Sequence, residues 1–275
     1  MPDSTAPHAP LAGLADYHMH TPLCRHASGT PEAFVAEARA LGLSEIGFSD
    51  HGPMPQYFDD WRMLAEELPQ YFDWIAQACA AAGDMPVRMA LEVDWLEGGE
   101  SWIESLASRA PWDYFIGSVH YIGRWNFDNP AETQGFRQFG TEEAWSRYWQ
   151  LFAQAARSGL FEIMGHPDLI KKFGHRPEGD LRRFYGPAVE AAAEAGVAIE
   201  INTAGLFKDV AEMYPALDFL CLARAAGVPL TINSDAHAPG ETGRAFAGAV
   251  SLAKEAGYTE LARFADRCRT MVPLP

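Results

Sequence analysis

Apolar residues along this chain gather in short runs, separated by longer stretches in which they recur every three or four positions. The runs LADYHMH (14–20), SEIGFSD (44–50), VRMALEVDW (87–95), DYFIGSVHY (113–121), LFEIMGH (160–166), VAIEINTA (197–204) and VPLTINSD (228–235) read as strands. The stretches between them read as helices. PEAFVAEARALG places Phe34, Val35, Ala38 and Leu41 on one face, and TEEAWSRYWQLFAQAARSG does the same with Trp145, Tyr148, Trp149 and Phe152. Thr30-Pro31-Glu32 and Thr141-Glu142-Glu143 carry the residues of helix starts. Glycine follows the helices just before the next strand, as at Gly42, Gly159, Gly196 and Gly227.

Strand, polar loop, helix, glycine, strand is the order of parallel α/β structure. Seven such units predict a closed or nearly closed barrel. MALEV and PLTIN are apolar with little alternation, as strands covered on both faces are. The rival is a doubly wound open sheet, which draws its ligands from strands around one switch point. Here ligand-type residues end at least six of the seven strands, an arrangement that a ring accommodates more easily. The Gly-, Asn- and Pro-rich stretch 121–140 reads as an excursion over the barrel mouth. No linker divides the chain, so 1–275 reads as one domain with a flexible tail over 1–12 that includes His8.

Composition narrows the class. The 275 residues are 48% hydrophobic and 21% charged, ordinary for a globular protein. A formal net charge of −16 disfavours nucleic-acid or acidic-membrane partners. A phosphate substrate then requires bound cations to reverse the field inside a pocket. Cys24, Cys79, Cys221 and Cys268 form no closely spaced pair, which is the usage of a reducing cytoplasm. The first dozen residues lack a signal peptide's features, and no apolar run approaches a membrane span, so a cytoplasmic protein is expected.

The chemistry gathers at the strand ends. His18 and His20 are two apart on a strand and should point to one face, together with Asp16. His26 can fold back to the same mouth after TPLCRH. Asp50-His51 ends the second strand, and Glu92 lies inside ALEVDW, where a carboxylate needs a partner or a metal. His120 and His166 end two further strands, and Asp235 and His237 repeat the two-residue spacing. Exposed pairs, polar turns or an arginine ion pair could explain any one of these alone. Six clusters in register with the strand–helix repeat predict a multinuclear metal hydrolase. Cys24 reads as a loop thiol, and His175 in KKFGHRP as a pocket or surface residue.

With these residues in place the chain resembles the PHP (polymerase and histidinol phosphatase) superfamily, and within it the monofunctional bacterial histidinol-phosphatases. The resemblance runs from DYHMHTPLCRHASG through SDHGPMP, LEVDW, GSVHYI, GHPDLIKKFGHRP and NTAGL to NSDAH. It implies a distorted (β/α)7, TIM-like barrel with a trinuclear metal site at the C-terminal mouth of the strands, hydrolysing L-histidinol phosphate in histidine biosynthesis. Carried over, His18, His20, Glu92 and Asp235 would hold a first metal, Glu92 with His120 and His166 a second, and His26, His51 and His237 a third. The three divalent ions could be zinc, iron or manganese. A hydroxide bridging the first two is the implied nucleophile, which makes Glu92 and Asp235 the catalytic ligands. Asp50, His175 or a metal-bound water could protonate the leaving oxygen.

One position departs from the pattern. Relatives commonly carry arginine after the NTAGL-like segment, toward the phosphate, whereas Phe207 follows Leu206 here. Phosphate binding would then fall to Lys208, or to Lys171 and Lys172, with His175 close by. The alternative is a PHP phosphatase acting on a phosphotyrosyl protein or another small phosphate ester. A metal-dependent amidohydrolase is disfavoured because no bridging lysine ends a strand. A small-molecule phosphate ester is the expected partner, of a monomer or a homo-oligomer.

Overall fold

A computed structural model describes residues 11–275. His8 and most of the expected 1–12 tail therefore lie outside the described residues. The strands in chain order are β1 (Ala15–Asp16), β2 (Glu45–His51), β3 (Val87–Asp94), β4 (Tyr114–Ser118), β5 (Tyr121–Ile122), β6 (Trp125–Asn126), β7 (Ile163–Met164), β8 (Ala198–Asn202), β9 (Leu230–Asn233), β10 (Glu260–Ala265) and β11 (Cys268–Pro273). The helices are α1 (Pro31–Leu41), α2 (Leu68–Ala82), α3 (Glu100–Ala107), α4 (Gly135–Phe139), α5 (Thr141–Arg157), α6 (Arg182–Ala195), α7 (Leu217–Ala225) and α8 (Phe246–Glu255).

Seven strands pair in the order β1-β2-β3-β4-β7-β8-β9, and every pairing among them is parallel. The two edges approach each other through side chains. Asn233 accepts from Tyr17 N at 2.9 Å and Asp16 from Ser234 N at 3.0 Å, while a parallel bridge joins Met19 to Ala236. The result is the nearly closed barrel that the repeat of strands and helices predicts. The first strand is shorter than its apolar run. It ends at Asp16, and His18 and His20 follow in a segment held on one side by that bridge and on the other by Ser49 N donating to the Met19 carbonyl at 2.9 Å. Asp16 does not join them. Its carboxylate takes Ser234 N, Ser234 Oγ and Gly243 N, bonds that tie β1 to the β9 side in place of a regular ladder.

The helices cover the outside. Phe34, Val35 and Ala38 of α1 and Trp145, Tyr148, Trp149 and Phe152 of α5 are buried, each large side chain contributing about 1.5–3 kcal/mol. Thr30 occupies the N-cap of α1 but makes no side-chain capping bond, and Pro31 begins the helix. Gly42 ends it in the left-handed conformation at φ 76°, a strain-free position for glycine alone.

Inside the barrel, Ala15, Tyr17, Ala90, Tyr114, Ile116, Ile163 and Ala198 form a separate small core. Gly47 is required there, because a Cβ on it would lie 2.0 Å from the Tyr114 hydroxyl. Ala262 and Phe264 of the β10–β11 hairpin complete this core. Arg267 bonds Glu162 and the carbonyl of Asp113, residues that precede β7 and β4, so the hairpin closes the N-terminal end of the barrel. The opposite end stays open. No helix among the described residues is long and apolar enough to cross a membrane.

Candidate metal centre

The open end collects the polar residues. His51 is the last residue of β2, and Glu92 lies near the end of β3. His120, His166 and Asp235 each come two residues after β4, β7 and β9. His166 and Asp235 adopt positive φ values of 23° and 53°. Such conformations cost of order 1–3 kcal/mol and persist where surrounding bonds enforce them.

Glu92 is the hub. Its Oε2 lies 3.2 Å from His18 Nε2, 3.5 Å from His20 Nε2 and 3.0 Å from His51 Nδ1. Its Oε1 lies 2.8 Å from His166 Nε2 and 3.5 Å from His120 Nε2. One carboxylate thus presents a different oxygen to each of two imidazole groups. Asp235 Oδ1 faces His20 Nε2 at 3.2 Å and His18 Nε2 at 3.7 Å, on the side of Glu92 Oε2. On the far side of His20 a third group forms. The rings of His20 and His237 stack at 4.1 Å, those of His26 and His237 at 4.6 Å, and His26 lies 5.3 Å from His51. All nine expected ligands meet in this one cluster.

Most of the rings are fixed through Nδ1. His18 Nδ1 lies 3.1 Å from both oxygens of Glu200, and His120 Nδ1 lies 2.8 Å from Asp94. His26 Nδ1 meets the carbonyl of Cys24 at 2.7 Å, and His237 Nδ1 that of Asp235 at 3.1 Å. These contacts select the tautomer that leaves Nε2 free as a lone-pair donor, the usual support of a ligating histidine. The supports are themselves held. Arg62 Nη1 lies 2.9 Å from Asp94, and Asn202, Asn233 and the amide of His166 all donate to Glu200. Glu200 carries the same signal in AIEIN that marks Glu92 in ALEV, a carboxylate inside an apolar strand. Nothing local to Asp94 or Arg62 marks them.

The electrostatics sort the histidines. Burial alone would push Glu92 and Asp235 up, but the neighbouring imidazoles outweigh it and hold both well below the usual carboxylate range. Burial opposes charge on His20 and His120, yet nearby carboxylates raise both to about 9. Burial and mutual repulsion pull His26 down to about 4, and they lower His51 and His237 as well. A group of three neutral imidazoles beside two ionised carboxylates is a donor set for cations.

The residues fit divalent metals on a direct observation. The Nε2 atoms of His18, His20 and His237 are buried and have no hydrogen-bond partner among the described residues, although carboxylate oxygens lie close to the first two. Leaving a buried polar atom unpaired costs about 1–3 kcal/mol each, so three together call for a cation to receive them. Nitrogen and oxygen donors gather within ligand range in the sets His18–His20–Glu92, His51–Glu92–His120 and His20–His51–His237. Cys24 Sγ also lies within that range of His26 and His237, and burial with the charge of Asp50 pushes its thiol up.

Above the cluster lies a cavity of about 380 Å³. Trp61, Arg62, Asn126, Asp128, Asn129 and Pro130 form one wall, so the 121–140 excursion does reach over the mouth. Lys208 lines the cavity and is exposed. Lys172 also lines it, with Nζ bound to Asp128 at 2.6 Å. Lys171 is placed elsewhere: it is buried and paired with Asp168 at 3.0 Å and Glu212 at 3.3 Å. His175 stacks on Phe136 at 4.1 Å, outside the cavity lining. Asp50 is fully buried and accepts from Thr21 and from the amide of His51.

The family model described as PHP domain matches residues 16–204. A "Probable histidinol-phosphatase" of Deinococcus radiodurans is 44% identical over 249 residues, covering 90% of this chain and 95% of that protein. The histidinol-phosphatase of Bacillus subtilis is 28% identical over 257 residues, covering 84% and 96%. The crystal structure of histidinol phosphate phosphatase from Lactococcus lactis, complexed with zinc, L-histidinol and phosphate, superposes with a TM-score of 0.81. It is 27% identical and covers 94% of this chain and 98% of that one.

Proposed function

The chain belongs to the PHP-domain family, and from that premise we propose that it is a metal-dependent phosphatase hydrolysing L-histidinol phosphate to L-histidinol and phosphate. The observation that carries the reading is Glu92, which offers one oxygen to His18 and His20 and the other to His120 and His166 on the floor of the cavity. Support comes from the 44% identical relative and from the similar structure that holds zinc, histidinol and phosphate.

In this reading three divalent ions are held. His18, His20, Glu92 and Asp235 would take one, Glu92 with His120 and His166 a second, and His26, His51 and His237 a third. The mixed nitrogen and oxygen donors suit zinc, iron or manganese. Such cations supply positive charge for the phosphoryl oxygens and acidify water at neutral pH. The chain's own part is positional. Glu92 sets the spacing of two subsites, while Glu200, Asp94 and the Cys24 carbonyl hold His18, His120 and His26 in one tautomer. Trp61, Asn126 and Pro130 wall the cavity against bulk water, and Lys208 adds a cationic rim. Asp50, bonded to Thr21 and to the amide of His51, and His175, stacked on Phe136, are the less favoured donors of a proton to the leaving oxygen.

The test is phosphate release from histidinol phosphate, phosphotyrosine and a generic aryl phosphate by protein loaded in turn with zinc, iron and manganese. The highest kcat/KM should fall on histidinol phosphate. A higher value for phosphotyrosine reassigns the substrate, and no release from any of the three removes the phosphatase reading. Elemental analysis should find about three ions per chain, and at most one after metal supplementation would refute the trinuclear arrangement.

A further inference from the structure

We propose that Arg244, on the turn that follows the last barrel strand, grips the phosphate of the substrate ester, with Phe207 as the shelf that holds its guanidinium in place. This rests on the reading of the site as one that takes a phosphate ester.

Four cationic side chains line the cavity: Arg62, Lys172, Lys208 and Arg244. Three of the four are ion-paired. Arg62 gives its guanidinium to Asp59 and Asp94, and Lys172 gives its ammonium to Asp128. Lys208 is free of such a pairing among the described residues but is exposed and forms no contact that would orient it. Arg244 differs from all three. Its side chain is 17% exposed, its guanidinium lies 4.4 Å from the Phe207 ring centroid, and Nη1 donates to Glu241 Oε1 at 2.8 Å.

The other oxygen of Glu241 accepts from the amide of His237 at 2.8 Å. One carboxylate therefore sets Arg244 in register with the loop that carries an expected metal ligand. Arg244 Nε is buried and has no acceptor among the described residues. A guanidinium resting on an aromatic face keeps its in-plane N–H groups directed outward, and phosphate oxygens are their natural acceptors. Phe207 is 57% exposed, and one face of its ring is where the guanidinium of Arg244 lies. The aromatic residue at 207 thus does not leave the phosphate without a guanidinium, because one arrives from residue 244.

The experiment compares wild type, Arg244→Gln, Arg244→Lys and Phe207→Leu, each metal-loaded. Inorganic phosphate and L-histidinol are titrated by calorimetry, with metal content measured alongside. Arg244→Gln should weaken phosphate about ten- to hundredfold and leave histidinol affinity and metal content unchanged. Arg244→Lys, which keeps the charge without the planar fork, should fall between, and Phe207→Leu should weaken phosphate by a smaller factor. Unchanged phosphate affinity in Arg244→Gln, equal weakening of both ligands, or loss of metal would each overturn the proposal. Failure of the wild type to hydrolyse histidinol phosphate would instead sink the substrate reading, and the phosphate titration would still decide the role of Arg244.

Discussion

Glu200→Gln is the sharpest perturbation that this structure allows away from the expected ligands. Oε1 accepts from His166 N at 2.7 Å and Asn202 Nδ2 at 2.9 Å, Oε2 accepts from Asn233 Nδ2 at 2.6 Å, and His18 Nδ1 lies 3.1 Å from both. A glutamine must turn its NH2 toward one of these donor sets. Toward Oε1 it meets a backbone amide that cannot turn. Toward Oε2 it meets Asn233, whose own orientation is fixed because its Oδ1 accepts from Tyr17 N at 2.9 Å. Asn202 cannot flip to help, since its Oδ1 accepts from Ala204 N at 3.0 Å. At least one buried donor loses its acceptor, and the His18 contact loses its charge, for a cost of about 2–5 kcal/mol. At roughly 2 °C or more per kcal/mol for a chain of this size, the melting temperature should drop by several degrees. Zinc affinity should fall about 10–100-fold, as when other supports of ligating histidines are removed. Calorimetric unfolding and competition with a chelator measure the two. Wild-type melting temperature together with wild-type zinc affinity would refute the account of Glu200 as the residue that orients His18.

Glu92→Gln should keep the fold and lower kcat by several powers of ten, because the charge shared by two subsites disappears. Retention of more than about a tenth of wild-type kcat would move that role to another residue. Stripped of metal, the chain should carry protons on His20 and His120, both raised to about 9 against 6.5 in an unfolded chain. Their contribution to the metal-free fold is full below about pH 6.5 and lost as the pH rises through about 9. Metal must displace those protons, so apparent affinity should climb between these limits with proton release in calorimetry, and a flat profile would contradict the assignment. Lys171→Ala should destabilise the chain by about 3 kcal/mol or more by stranding buried Asp168, without changing KM for histidinol phosphate. A raised KM at wild-type stability would return Lys171 to the substrate.

The repeat of apolar runs and three-to-four-residue spacing was enough to place seven barrel strands and the main helices, with most of the expected ligands at or just past strand ends and His26 in the loop beyond Cys24. Periodicity is a local property, and so is the cost of burying Glu92 in an apolar strand. Glu200 in AIEIN carried that same local signal. Other features had no local trace. The first strand ends at Asp16, whose carboxylate takes the amide and the hydroxyl of Ser234 from across the barrel seam. The β10–β11 hairpin plugs the far end through Phe264, which meets Tyr17 and Tyr114 only once the barrel has closed. Lys171 and Lys172 are adjacent in the chain, yet one is buried against Asp168 while the other reaches the cavity. Phe207 and Arg244 come from segments after two different strands, β8 and β9, and they stack only because those strands pair side by side. Residue types and their order determined which donors this chain owns. Closure of the barrel decided which of them face one another, because hydrogen bonds and ion pairs depend on distances that sequence separation does not encode.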